Sequence, residues 1–107
     1  MLAIPQKHYA VLDDFFLALS NRQRVRILQY LGDAGPRNVG EISEKLGIQQ
    51  SAVSHCMHRL RACHFVNVEQ RGKERIYSIN HDTVEPLLSL IDEHVRKYCA
   101  RDCTHWD

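Results

Sequence analysis

Residues 38–61, NVGEISEKLGIQQSAVSHCMHRLR, constrain the fold of this chain more than any other stretch, because their punctuation allows two short helices with one sharp turn between them. Asn38 can cap the first helix while Glu41, three positions on, reaches back to the cap, the reciprocal arrangement of a capping box. Ile42 and Leu46 supply its apolar stripe, Gly47 a left-handed residue that ends it, and Ile48 a plug for the angle that follows. In the second helix Val53, Met57 and Leu60 share a face at spacings of four and three. That leaves Gln50, Ser51, Ser54, His55, His58 and Arg59 for the polar side. Hydroxyl, imidazole and guanidinium groups suit phosphates and base edges, so this side is expected to face duplex DNA. A helical hairpin with a merely solvated polar face has the same pattern.

Residues 65–79, FVNVEQRGKERIYSI, favour the first reading. Phe65, Val66 and Val68 before Gly72, and Ile76, Tyr77 and Ile79 after it, predict a β-hairpin. Its tip carries Arg71, Lys73 and Arg75, a basic ribbon able to lie along a sugar-phosphate backbone or a minor groove. Taken alone, a basic tip is also the usual protection of a sheet edge. Placed directly after the polar-faced helix, it predicts a winged helix-turn-helix, mainly α with a small β-hairpin.

The block from Leu17 to Ile79 resembles the ArsR/SmtB family of small winged-helix repressors. LALSNRQRVRILQYL is similar to that family's second-helix signature, IQQSAVSHCMHRLRACHFV to its recognition helix and the start of the wing, and RGKERIYSI to the wing with its closing strand. Two positions depart from the pattern. Gln49 stands where the family favours a serine N-cap, and His64 where it favours a helix-ending glycine. Histidine tolerates a positive φ better than β-branched residues do. The resemblance implies a transcriptional repressor that a bound signal releases from its operator.

At 107 residues and 44% hydrophobic, the chain can bury one modest core, so a single domain over 1–107 is expected. A net charge of +1 looks poor for a DNA binder until it is mapped. Residues 22–75 hold ten basic groups against five acidic ones, a balance of +5, and the remaining residues balance at −4. A basic middle with acidic flanks suits nucleic-acid contact through the centre and another role for the ends. Helices are expected at about 8–20 and 82–99, with 100–107 as a tail. Leu12, Phe15, Phe16 and Leu19 repeat at helical spacing, and Asn21 can cap the next helix, whose apolar positions are Val25, Leu28 and Leu31. Asp82 with Glu85 suggests a second capping box, ahead of a long stripe of Val84, Leu87, Leu88, Ile91, Val95 and Tyr98. One small core cannot easily hide all of this. The expectation is a homodimer that sets two recognition helices about one DNA turn apart on a palindromic operator, against the alternative that the stripes complete a monomer core.

No segment is long and apolar enough for a membrane span and the start lacks a secretory signal, so a cytoplasmic protein is expected. Nucleophile elbow, phosphate loop and His-Glu-x-x-His motifs are missing, which argues against an enzyme. In a reducing compartment, the four cysteines read as buried thiols, metal ligands or redox sensors before disulfides. The family resemblance implies a metal site on the last helix, where an acid and a histidine near its start meet a pair from the partner chain, and the four positions fall on His81, Thr83, His94 and Lys97. Only the two histidines coordinate readily. Asp82 or Glu93, one residue away, can substitute to give a set suited to zinc, nickel or cobalt. A thiol site that the family places at the start of the third helix is absent, since Asn38 and Gly40 stand there. Spacing offers another site in the tail, where Cys99 and Cys103 lie one helical turn apart with His105 or Asp107 as a further ligand. Cys56, Cys99 and Cys103 are also candidates for reversible oxidation, whereas Cys63 reads first as packing. Cys56 and Cys63 are too far apart along an intact helix to bridge. The expected function is a metal-released repressor. The alternatives are a thiol-redox-responsive repressor of the same fold and a winged helix used for protein contacts without sensing.

Overall fold

A computed structural model describes residues 3–99. After a 3-10 turn at Gln6–His8, the elements are α1 (Tyr9–Leu19), α2 (Arg22–Ala34), α3 (Val39–Leu46), α4 (Gln50–Ala62), β1 (Val66–Arg71), β2 (Glu74–Ile79) and α5 (Val84–His94), which runs on as a π-helical turn, Val95–Cys99. Order and type are those the sequence predicts, and the reasons are mostly local. Asn21 caps α2 by accepting from the Arg24 amide at 3.1 Å. The capping box on α3 is complete: the Glu41 amide donates to Asn38 at 2.7 Å, and the Asn38 amide to Glu41 at 3.0 Å. Gly47, at φ 68°, ends α3, and the Ile48 amide reaches back to the Ser43 carbonyl.

The end of α4 shows how the departure at His64 is accommodated. His64 takes φ 60°, the one positive φ outside glycine among the described residues. Its amide bonds the Arg61 carbonyl at 3.0 Å and the Phe65 amide bonds the Leu60 carbonyl at 2.8 Å, the two bonds of a Schellman motif. Buried Phe65 and Leu60 complete the accompanying apolar pair. Histidine thus does the work of the expected glycine, at a steric cost from its Cβ.

The hairpin is antiparallel in the register Val66↔Ile79 through Arg71↔Glu74, which leaves Gly72 and Lys73 as a two-residue turn. Gly72 at φ 63° supplies the positive φ that such a turn needs at its first position. One pairing was not legible beforehand. Arg37, in the loop before α3, exchanges backbone bonds of 3.0 and 2.8 Å with Tyr77, fastening β2 to the helical body.

The start of α5 differs from the expected capping box of Asp82 and Glu85. Thr83 is the N-cap and makes no side-chain capping bond. Asn80 takes the role instead, its Oδ1 accepting from the amides of Asp82 (3.0 Å) and Thr83 (3.3 Å), while Glu85 turns to His81. The side chain of this Asx turn takes the Asp82 and Thr83 amides, and the Asn80 carbonyl takes those of Val84 and Glu85.

Ile27, Leu28 and Leu31 of α2, Ile42 of α3, and Val53, Met57 and Leu60 of α4 meet Phe65 and Ile79 in one core. Phe15 of α1 joins it edge-on to Phe65, with ring centroids 4.9 Å apart. The outer faces of α1 and α5 stay uncovered: Phe16, Leu17, Leu90 and Tyr98 are all more than half exposed. A radius of gyration of 15.3 Å exceeds the roughly 13 Å of a compact chain of this length, as helices projecting beyond the core require.

Candidate nucleic-acid interface

Because Val53, Cys56, Met57 and Leu60 anchor α4 in the core, its opposite side is fixed toward solvent. Gln50, Ser51, Ser54, His55 and His58 are all exposed on it, and Arg59 is half-buried at its margin. The hairpin stands beside this row and closes a cleft of about 540 Å³ between α4, the start of α3 and β2. Ser54 and His58 form one wall and Arg75 part of the other. Among the lining residues that sequence reasoning did not assign to a site are Arg61, Asn38 and Glu74. For Arg61 the signal was present, since it follows Ser54 and His58 at helical spacing. For Glu74 there was none. Its carboxylate accepts from the Asn38 side chain at 3.3 Å across 36 residues of sequence, tying the hairpin to the cap of α3.

The basic groups divide into two sets. Arg24 donates to the carbonyls of Ala18 and Leu17 at 2.6 and 2.8 Å and so closes the end of α1. Arg26 bonds the Leu46 carbonyl at 3.0 Å, and Arg37 the Pro36 carbonyl at 2.7 Å. The first two join separate elements, and the third is a local bond to the preceding residue. On the hairpin, Arg71 pairs with Glu69 at 3.3 Å, whereas Lys73 and Arg75 make no ion pair among the described residues. Lys73 and Arg75 on the hairpin therefore stand beside α4 with their charges uncompensated by a carboxylate partner among the described residues.

Within one protomer the two α5 histidines stand apart, and the site that the family resemblance implies draws its ligands from both protomers. His81, at the start of α5, places Nδ1 3.2 Å from Glu85. His94, at the other end, stacks its ring 5.1 Å from that of Tyr98. An 11-residue helix separates the two by about 15 Å of rise, so one protomer cannot offer both to one ion. Among the described residues no three His, Cys, Asp or Glu side chains gather as a metal site. Thr83 and Lys97 occupy the other two positions, so the donor set of a single protomer does not fit the metal that the family resemblance implies. Cys99 is half-buried at the end of the π turn, and Cys103 and His105 lie outside the described residues. Cys56 sits in the core, 4% exposed. Burial pushes its thiol pKa up and the Arg24 charge only partly offsets this, which disfavours the reactive thiolate.

A basic hairpin flanking an exposed polar helix, held on a three-helix core, defines a winged helix-turn-helix regulator. Residues 21–68 match the bacterial regulatory protein, arsR family, and the chain belongs to that family: a transcriptional regulator with a DNA-binding helix-turn-helix. It is 37% identical over 78 residues to the HTH-type transcriptional regulator NmtR of Mycobacterium tuberculosis, a match covering 73% of this chain and 62% of that protein. It is 32% identical over 82 residues to the transcriptional activator HlyU of Vibrio cholerae, covering 77% of this chain and 72% of HlyU. Among solved structures, a homodimeric winged helix-turn-helix DNA-binding domain from Mycobacterium bovis, described as a possible ArsR-family transcriptional regulator, superposes with a TM-score of 0.76 at 25% identity, covering 92% of this chain and 93% of that one. These relatives are regulators of transcription rather than enzymes. No helix among the described residues is long and apolar enough to cross a membrane.

Proposed function

We propose that this chain is a homodimeric transcriptional repressor. Gln50, Ser51, Ser54, His55, His58 and Arg59 of α4 enter the major groove of a palindromic operator, and Arg71, Lys73 and Arg75 grip the flanking backbone. The observation that carries this reading is the exposed polar row on α4 beside the cations of the hairpin. The uncovered apolar faces of α1 and α5 support the dimer, as does the homodimeric M. bovis relative. Repression is the sign expected when a protein occupies a promoter. HlyU carries the name of an activator, so in vitro transcription from the chain's own promoter checks that sign.

A signal releases DNA only by binding the DNA-incompetent arrangement more tightly. A divalent ion such as zinc at α5 would need ligands from both protomers, because His81 and His94 of one chain stand at opposite ends of the helix. The tail, with Cys99, Cys103 and His105, is the other metal candidate, and oxidation of its thiols the alternative trigger. The experiment is the affinity of reduced, metal-free protein for its own promoter duplex across a salt series, repeated with stoichiometric zinc. Steep salt dependence supports the DNA reading, and weaker binding with zinc supports metal release. Unchanged binding with zinc removes zinc release and makes oxidised protein the next comparison. Absence of binding in every state favours a winged helix for protein contacts.

A further inference from the structure

We propose that Asn80 is a positioning residue that fixes the angle between the recognition helix α4 and the last helix α5, and thereby sets the half-site spacing that the protein accepts on DNA. The inference rests on the dimeric reading above. Asn80 lies between the hairpin and α5 and bonds in both directions. Its side-chain Nδ2 donates to the His64 carbonyl at 3.0 Å, 16 residues back, at the left-handed residue that ends α4. Its Oδ1 accepts from the Asp82 and Thr83 amides at the start of α5. The backbone repeats the connection, with the Asn80 amide on the Phe65 carbonyl at 3.0 Å and the Asn80 carbonyl receiving the Val84 and Glu85 amides at 3.2 and 3.1 Å. One side chain thus joins the end of the DNA-reading helix to the start of the helix whose outer face is bare.

The lever involved is long. From Ala62 to Gln50, α4 extends about 18 Å, so a 10° rotation at its C-terminal end moves the base-reading end by about 3 Å. That is close to the roughly 3.4 Å rise of one base pair. A small change at Asn80 is therefore of the size that converts one accepted spacing into another.

Asn80→Asp separates this role from simple helix capping. Aspartate keeps an acceptor for the Asp82 and Thr83 amides, and its charge suits a helix N-terminus, but it cannot donate to the His64 carbonyl. The experiment takes the tightest-binding duplex selected from a random pool and measures affinity for it and for versions with one or two base pairs inserted or removed at its dyad. Wild type should lose about tenfold or more per altered duplex, and Asn80→Asp no more than about threefold, with an unchanged thermal midpoint. Equal discrimination by both proteins overturns the role of Asn80 while leaving the dimer intact. Absence of discrimination by wild type overturns the dimeric reading itself. Should the variant not fold, amide exchange on wild type decides: duplex binding should slow exchange at Asp82 and Thr83, and unchanged exchange there overturns the proposal.

Discussion

At the scale of single residues, position sets the behaviour of two side chains. His64 is held at φ 60°, where a Cβ costs about 1–2 kcal/mol. Glycine relieves that cost but gains about 0.4–1 kcal/mol of unfolded-state entropy. His64→Gly should therefore raise stability by about 0.5–1 kcal/mol and the thermal midpoint by about 2–4 °C, read by circular dichroism. His64→Val should lower it. Cys56 is the second case. Its folded-state pKa lies above the ordinary value of 9.0, chiefly through burial. As pH rises through the unfolded-state value, the unfolded chain loses this proton first, so the thiol's contribution is complete below that value and declines above it. Urea midpoints should fall above about pH 9 in wild type, and less steeply in Cys56→Ala. Equal slopes would remove burial of this thiol as the cause.

At the scale of elements, the hairpin is a wing whose charges are not equivalent. Glu69 competes for Arg71, and Asn38 draws Glu74 into the cleft facing α4. Lys73→Ala should reduce the salt slope of DNA binding by about one counterion, and Arg71→Ala by less. Glu74→Gln keeps an acceptor for Asn38 and removes a negative charge from the surface proposed to meet DNA phosphates. Affinity should rise roughly two- to fivefold at moderate salt, as a partly screened surface charge allows. Fluorescence anisotropy with a labelled promoter duplex measures both, and weaker binding by Glu74→Gln would mean that the carboxylate itself contacts the DNA. On this surface the wing cations and the row from Ser51 to Arg59 were legible from pattern. The cleft they share with Asn38 and Glu74 was not, because it depends on how far the hairpin leans toward α3.

At the scale of the whole molecule, the governing fact is the apolar surface on α1 and α5. Leu90 is 63% exposed and Phe16 61%, so neither contributes much to the folded monomer. In the proposed dimer both are interface residues. Leu90→Glu should leave the thermal midpoint of the isolated protomer nearly unchanged, halve the mass seen by sedimentation, and weaken binding to a two-half-site duplex by about 100-fold, because the second half-site is no longer engaged intramolecularly. A Leu90→Glu protein that stays dimeric would place the interface elsewhere.

The sequence by itself determined which elements form and in what order. Capping pairs, the 3.6-residue and two-residue periods and the glycines of two tight turns act within a few residues of one another, so Asn21, Asn38, Gly47 and Gly72 could be read directly. The family resemblance implied in addition that His64 stands where a helix-ending glycine is favoured. Packing settled what met across distance: Arg37 with Tyr77, Asn38 with Glu74, and Asn80 with the end of α4 rather than a capping box on Asp82. It likewise placed Cys56 in the core and His81 and His94 at opposite ends of α5. The physical reason is that local rules fix each residue's backbone state. Meetings between residues far apart in sequence depend instead on the angles at which packed elements cross, and those are set by the whole core at once.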